Sequence, residues 1–105
     1  MGEMQSLTDN NIDSFIENPK PKIVVLWADY VATSLQLRDT VQDMEDSMPD
    51  IEFWSANAGY NEDFISRFSL TYVPSVIAFK GSELVGARMG RPLSRDIKTF
   101  ISEIF

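Results

Sequence analysis

Ile23-Val24-Val25-Leu26-Trp27-Ala28-Asp29-Tyr30-Val31-Ala32-Thr33-Ser34 is the stretch on which the fold turns. Ile23 to Trp27 is continuous, apolar and β-branched, which predicts a strand buried on both faces. Thr33-x-x-Gln36 has the form of a capping box, which predicts a helix starting near Thr33. Between them lies a short turn, Ala28 to Ala32, where the strand hands over to the helix.

Working outward, Met4 to Leu7 reads as a short first strand. Thr8-Asp9-Asn10 supplies oxygens suited to capping a helix, on which Ile12, Phe15 and Ile16 share one face. Pro19 and Pro21 end that helix, because proline lacks the amide and clashes with the preceding turn. Leu37, Val41, Met44 and Met48 keep helical spacing up to Pro49. Ile51 and Phe53 alternate with Glu52, as in a strand. Glu62 to Phe68 reads as a short helix with Phe64, Ile65 and Phe68 facing inward. Val76 to Phe79, the Gly81-Ser82 turn and Leu84 to Met89 read as an antiparallel hairpin. Ser94 is placed to cap a last helix striped by Ile97, Phe100, Ile101 and Ile104. The order β-α-β-α-β-α-β-β-α predicts an α/β fold, with a central mixed sheet flanked on both faces by helices and right-handed crossovers.

The 105 residues are enough for a single domain, residues 1–105, and 44% hydrophobic content is enough for one core. The chain has no cysteine and no histidine. It therefore has no disulfide, no thiolate nucleophile and no imidazole base or zinc ligand. The carboxylates show no D-x-D-x-D-G spacing, so no metal and no cofactor is expected. A net charge of −7 opposes nucleic acid and anionic membranes. Met1 to Asn10 lacks a basic-then-apolar leader, and no apolar run approaches the roughly 20 residues that span a bilayer. The expected location is cytoplasmic.

The order, and five landmarks within it, resemble thioredoxin. Leu7-Thr8-Asp9 resembles that family's opening segment. Ile23 to Ala28 resembles the strand leading into its active-site turn, which reads Trp-Ala-x-x-Cys-Gly-Pro-Cys. Val73-Pro74-Ser75 resembles its cis-proline loop, and Phe79-Lys80-Gly81 with Gly90 its closing hairpin and groove glycine. The resemblance covers nearly the whole chain and implies the thioredoxin fold. The cysteine positions are Val31 and Ser34, and the residues between them are Ala32 and Thr33. The family's buried aspartate falls on Val25, and the lysine beside it on Ser55. Nucleophile, resolving thiol and proton-transfer pair are missing together, so dithiol–disulfide exchange, which needs a thiolate to attack, is excluded. No catalytic residue is assigned.

What the resemblance leaves is a groove for extended peptides beside the cis-proline. The matching positions are Trp27, Tyr30, Val31, Ala32, Val73, Pro74, Met89 and Gly90. Binding there is a form of strand addition. Tyr30 and Trp27 offer aromatic anchors, and Met89 an adaptable contact. The plain structural readings are core packing for Trp27, filling of the sulfur's space for Val31, and helix-start roles for Thr33 and Ser34. The implied function is a redox-inactive peptide- or protein-binding module, an adaptor or assembly chaperone. The alternative is a decoy or regulator that occupies thioredoxin's partners. Asp39, Asp43, Glu45, Asp46, Asp50 and Glu52 crowd one segment, whereas Lys80, Arg88, Arg91, Arg95 and Lys98 are five of the nine bases. The acidic run reads as a solvated helix face or as a docking surface. The asymmetry would orient a protein partner or favour head-to-tail homo-oligomers.

Overall fold

A computed structural model describes residues 4–90 and 92–105; Arg91, one of the basic residues above, lies outside them. The elements are β1 (Gln5–Leu7), α1 (Ile12–Glu17), β2 (Pro21–Trp27), α2 (Ala32–Met44), β3 (Glu52–Asn57), α3 (Glu62–Arg67), β4 (Ser75–Lys80), β5 (Glu83–Met89) and α4 (Ser94–Ile104). They form a five-stranded sheet in the order β1-β3-β2-β4-β5. β1, β3 and β2 are parallel, and β4 and β5 are antiparallel. The order and the mixed sheet match the expectation.

β2 is central because its run is apolar on both sides. Ile23 and Val25 join one core with Leu37 and Val41 of α2 and Ile97 and Phe100 of α4. Val24 and Leu26 join a second core with Phe15 of α1, Phe64 of α3, and Trp54, Ile77 and Phe79. In that second core Phe15 packs edge-on against Trp54, Phe64 and Phe79 at 5.1–5.9 Å, a favoured aromatic geometry. On β5, Val85 is the extra residue of a bulge, since Ala78 pairs with Gly86 and Phe79 with Leu84. A Cβ on Gly86 would stand 2.7 Å from Ile104 Cδ1, so glycine there lets α4 lie close on the strand.

Several helix ends differ from the sequence reading. α1 is flanked by Asn11, not by Thr8-Asp9-Asn10; Asn11 Oδ1 instead accepts the Thr8 amide at 2.9 Å, closing a tight turn. α2 starts at Ala32 behind Val31, and no capping box forms at Thr33, which lies already inside the first turn. α2 stops at Met44, and a single 3-10 turn follows over Glu45–Ser47. Met48 cannot continue the helix because it precedes Pro49, which disfavours helical backbone at that position. Ser94 is the first helical residue of α4, and Leu93 is the flank, its amide held by the Asp96 carboxylate at 3.3 Å.

Among the described residues, one charged side chain is fully buried. Lys22 reaches under α1, where its ammonium donates to the carbonyls of Phe15 and, at 2.6 Å, Asn18. It thereby satisfies the end of a helix that has no base of its own in its last turn. Burial pushes its pKa down, and the nearby Glu52 carboxylate opposes the shift. No described helix is long and apolar enough to cross a membrane.

Candidate functional site

The register brings three chain segments to one end of the sheet. Leu26 pairs with Ser75, and Ser75 with Met89. Trp27, the cis Val73–Pro74 bond and Met89-Gly90 therefore end side by side, with the Ala28–Val31 turn above them. The Gly90 amide donates to the Pro74 carbonyl at 3.0 Å, which ties the hairpin end to the loop. Gly90 has φ of +86°, so a side chain at that position would be strained.

The turn is held from inside. Ser34 is fully buried, and its hydroxyl accepts the Ala28 amide at 3.0 Å. The same hydroxyl lies 2.6 Å from the Val31 carbonyl and 3.0 Å from that of Ala28, to either of which it can donate. The sequence reading of Ser34 as only a helix-start residue is thus corrected: it closes the loop that precedes the helix. Thr33, by contrast, is exposed. At the far side of the turn, Asn57 Nδ2 donates to Asp29 at 3.3 Å, and Asn57 Oδ1 accepts the Gly59 amide at 2.9 Å. Asn61, also buried, donates to the carbonyls of Leu7 and Asn57 at 2.8 Å each, fastening β1 to the end of β3.

The positions picked from sequence fall into different environments. Tyr30 is 86% exposed and Met89 59%. Ala32 and Gly90 are exposed, Val31 and Val73 half-buried, and Pro74 buried. Trp27 is half-buried with the Arg38 guanidinium 4.4 Å from its ring centroid. Its indole N–H is buried with no acceptor among the described residues. Pro74 is thus buried between the turn and the hairpin end, with Tyr30 and Met89 exposed around it. Trp27 instead pairs with Asn57 and faces a hollow with Ser6, Leu7 and Tyr60 on the β1–β3 side, so the expectation that it anchors the groove gives way to a packing role. Among the described residues, no hydrogen bond uses the amide or carbonyl of Val73. A strand laid beside Val73 would find both groups without a hydrogen-bond partner among the described residues. Tyr72, 60% exposed, belongs to the same rim and was missed from the sequence, although it adjoins Val73-Pro74. Ser75, quoted from sequence only as the end of the cis-proline loop, donates its hydroxyl to the Tyr72 carbonyl at 2.6 Å and so braces that loop.

The redox positions are equally explicit. Val25 is fully buried and stands directly opposite Ser55 on β3 and Val76 on β4. No carboxylate or ammonium occupies that column. The chain has the thioredoxin fold. It superimposes on Fasciola hepatica thioredoxin with a TM-score of 0.86 at 18% identity, over 97% of this chain and 100% of that one. On oxidized mitochondrial thioredoxin 3 of Saccharomyces cerevisiae the TM-score is 0.84 at 15% identity, over 95% and 94% of the two chains. By sequence it is similar to a thioredoxin of Alicyclobacillus acidocaldarius, 22% identical over 100 residues, spanning 94% of this chain and 95% of the other. No family model matches the sequence. Within the thioredoxin fold, then, the turn after β2 has Val31 and Ser34 and no thiol anywhere in the chain.

Proposed function

We propose that this thioredoxin-like chain is a redox-inactive binding module that takes an extended protein segment beside Val73-Pro74. The observation that carries the reading is the unpaired amide and carbonyl of Val73, framed by exposed Tyr30 and Met89. Main-chain pairing would supply the common affinity, and Tyr30, Met89 and Tyr72 would supply apolar contacts that choose the side chains. Without a cysteine there is no group to attack a disulfide, so binding is not followed by exchange. An adaptor or assembly chaperone uses such a site in that way. Full-length similarity to thioredoxins favours a second reading, a decoy that holds their partners without reducing them. The partner is a protein in both, encountered in the cytoplasm.

Photo-crosslinking tests the reading. A benzoylphenylalanine placed at Tyr30 should crosslink to one contiguous partner segment in cells, and the same group placed at Asp43 of α2 should not. Loss of the Tyr30 crosslink in a Gly90→Arg background, with unchanged folding, is the expected control. Equal crosslinking from both positions would count against the groove. A dominant partner that is not itself a thioredoxin client would favour the adaptor over the decoy.

A further inference from the structure

A cavity of about 230 Å³ opens directly beyond the groove, between the end of α3, the loop before Pro74, and β5. Phe68, Leu70, Ile77 and Ala87 line it, and Tyr72 and Met89 stand at its mouth. Among the described residues no charged side chain lines it, in a chain of which 24% is charged. Its volume falls below the roughly 300–1,000 Å³ of sites that enclose small molecules and cofactors. It is of a size for one large side chain.

The wall of the cavity is formed by an unusual helix end. The Leu70 amide donates to the Ile65 carbonyl at 3.0 Å and the Ser69 amide approaches that of Ser66 at 3.4 Å, the paired bonds of a Schellman motif. Ser69, which also lines the cavity, has φ of +54°, a conformation glycine usually fills. The motif turns the chain sharply, directing Leu70 to Tyr72 along the cavity toward Val73. On β5 the pleat sends Ala87 and Met89 to this side, while Arg88 faces the other way, its guanidinium 4.5 Å from the Phe100 ring centroid. The nearest base of the strand is thus turned away from the cavity.

We infer that this cavity is a specificity pocket for a bulky apolar side chain of the extended segment bound at Val73, with no acidic or basic residue accepted at that position. The inference rests on the groove reading above and adds to it the kind of residue selected. Continuity supports this occupant: Tyr72 precedes Val73, and Met89 is the register partner of Ser75. A side chain leaving a strand paired with Val73 therefore enters over the Tyr72–Met89 mouth. The lining also has the hydroxyls of Ser69, Thr71 and Ser75, of which Ser75 already donates to the Tyr72 carbonyl. Its aliphatic and aromatic surface nevertheless gains from covering an apolar group, and no group in it would pair with a charge.

The test uses the full chain and a display library of short random linear peptides. Enriched peptides should share one bulky apolar position and, in ¹⁵N-labelled protein, shift the amides of Val73, Ser69 to Tyr72 and Met89. Replacing that residue by serine should weaken binding about tenfold or more. Ala87→Leu, which fills the cavity from the strand side, should weaken the enriched peptides to the level of their serine counterparts. Peptides that shift Val73 and the Ala28–Val31 turn, but have no apolar position and ignore Ala87→Leu, would overturn the pocket and leave the groove standing. Absence of enrichment, or shifts away from Val73, would overturn both. Should Ala87→Leu fail to fold, the apolar–serine peptide pair on the unaltered chain decides the matter.

Discussion

Replacing Ser34 by alanine removes one oxygen and changes almost no volume, so its effect isolates hydrogen bonding. The hydroxyl has a single proton, so it makes two bonds at a time: it accepts from Ala28 and donates to one carbonyl, with Val31 at 2.6 Å the closer. Each such bond contributes about 0.5–1.5 kcal/mol net, and a buried donor left unsatisfied costs about 1–3 kcal/mol. Ala28 is only 1% exposed, so water cannot readily replace the lost acceptor. Ser34→Ala should therefore lose about 2–3 kcal/mol, or roughly 10–20 °C in Tm for a domain of this size. Ser34→Cys should fall between the two, because a thiol is a weak donor and acceptor. Thr33→Ala, at the adjacent exposed position, should stay within about 0.5 kcal/mol. Urea unfolding followed by the fluorescence of Trp27 and Trp54 reads all three. A loss below about 0.5 kcal/mol for Ser34→Ala, or a larger loss for Thr33→Ala, would refute the role given to Ser34.

Three further outcomes are expected. Val25→Asp would place a carboxylate between Ser55 and Val76 with no base opposite, costing about 3 kcal/mol or more near pH 8. Because burial raises that carboxyl's pKa, the loss should shrink as the pH falls through the raised value; a pH-independent loss would contradict this. Ser69→Gly should raise stability by roughly 0.5–1 kcal/mol, since relief of the left-handed backbone outweighs the added freedom of the unfolded chain; lowered stability would show that the serine is not strained there. Lys22 binds its proton less tightly when folded than when unfolded, so the unfolded chain carries the extra proton between the lowered pKa and 10.5. Stability of the unaltered chain should therefore rise with pH across that window relative to Lys22→Met, and parallel pH profiles in urea would remove Lys22 as the cause.

The features legible in the sequence are those set by local pattern. An apolar β-branched run marked β2 and its two buried faces, and the i, i+3, i+4 stripe of Ile97, Phe100 and Ile101 marked α4. Helix starts were less legible, because Thr8, Thr33 and Ser94 all have capping chemistry and the backbone path decides which residue sits at the boundary. Ser34 was read as a helix-start residue because its bonds to Ala28 depend on a turn six residues long. The burial of Lys22 was not read from sequence, because it depends on the end of α1 lying over it. The Val73-Pro74 loop and Gly90, which the register brings together at one end of the sheet, were recoverable because they border recognisable landmarks. The cavity beyond them was not, since Phe68, Leu70, Ile77 and Ala87 come from three separate elements and meet only across the sheet. One member of each charged run, Asp50 and Lys98, lines the same apolar hollow at the opposite end of α4 from Leu93.

The most direct measurement is amide hydrogen exchange at Val73, with and without the partner segment identified by crosslinking and supplied as a synthetic peptide. Strand addition predicts that the Val73 amide, open in the free chain, slows by about tenfold or more at saturation. A saturating peptide that leaves Val73 exchanging as it does in the free protein would contradict strand addition at this site.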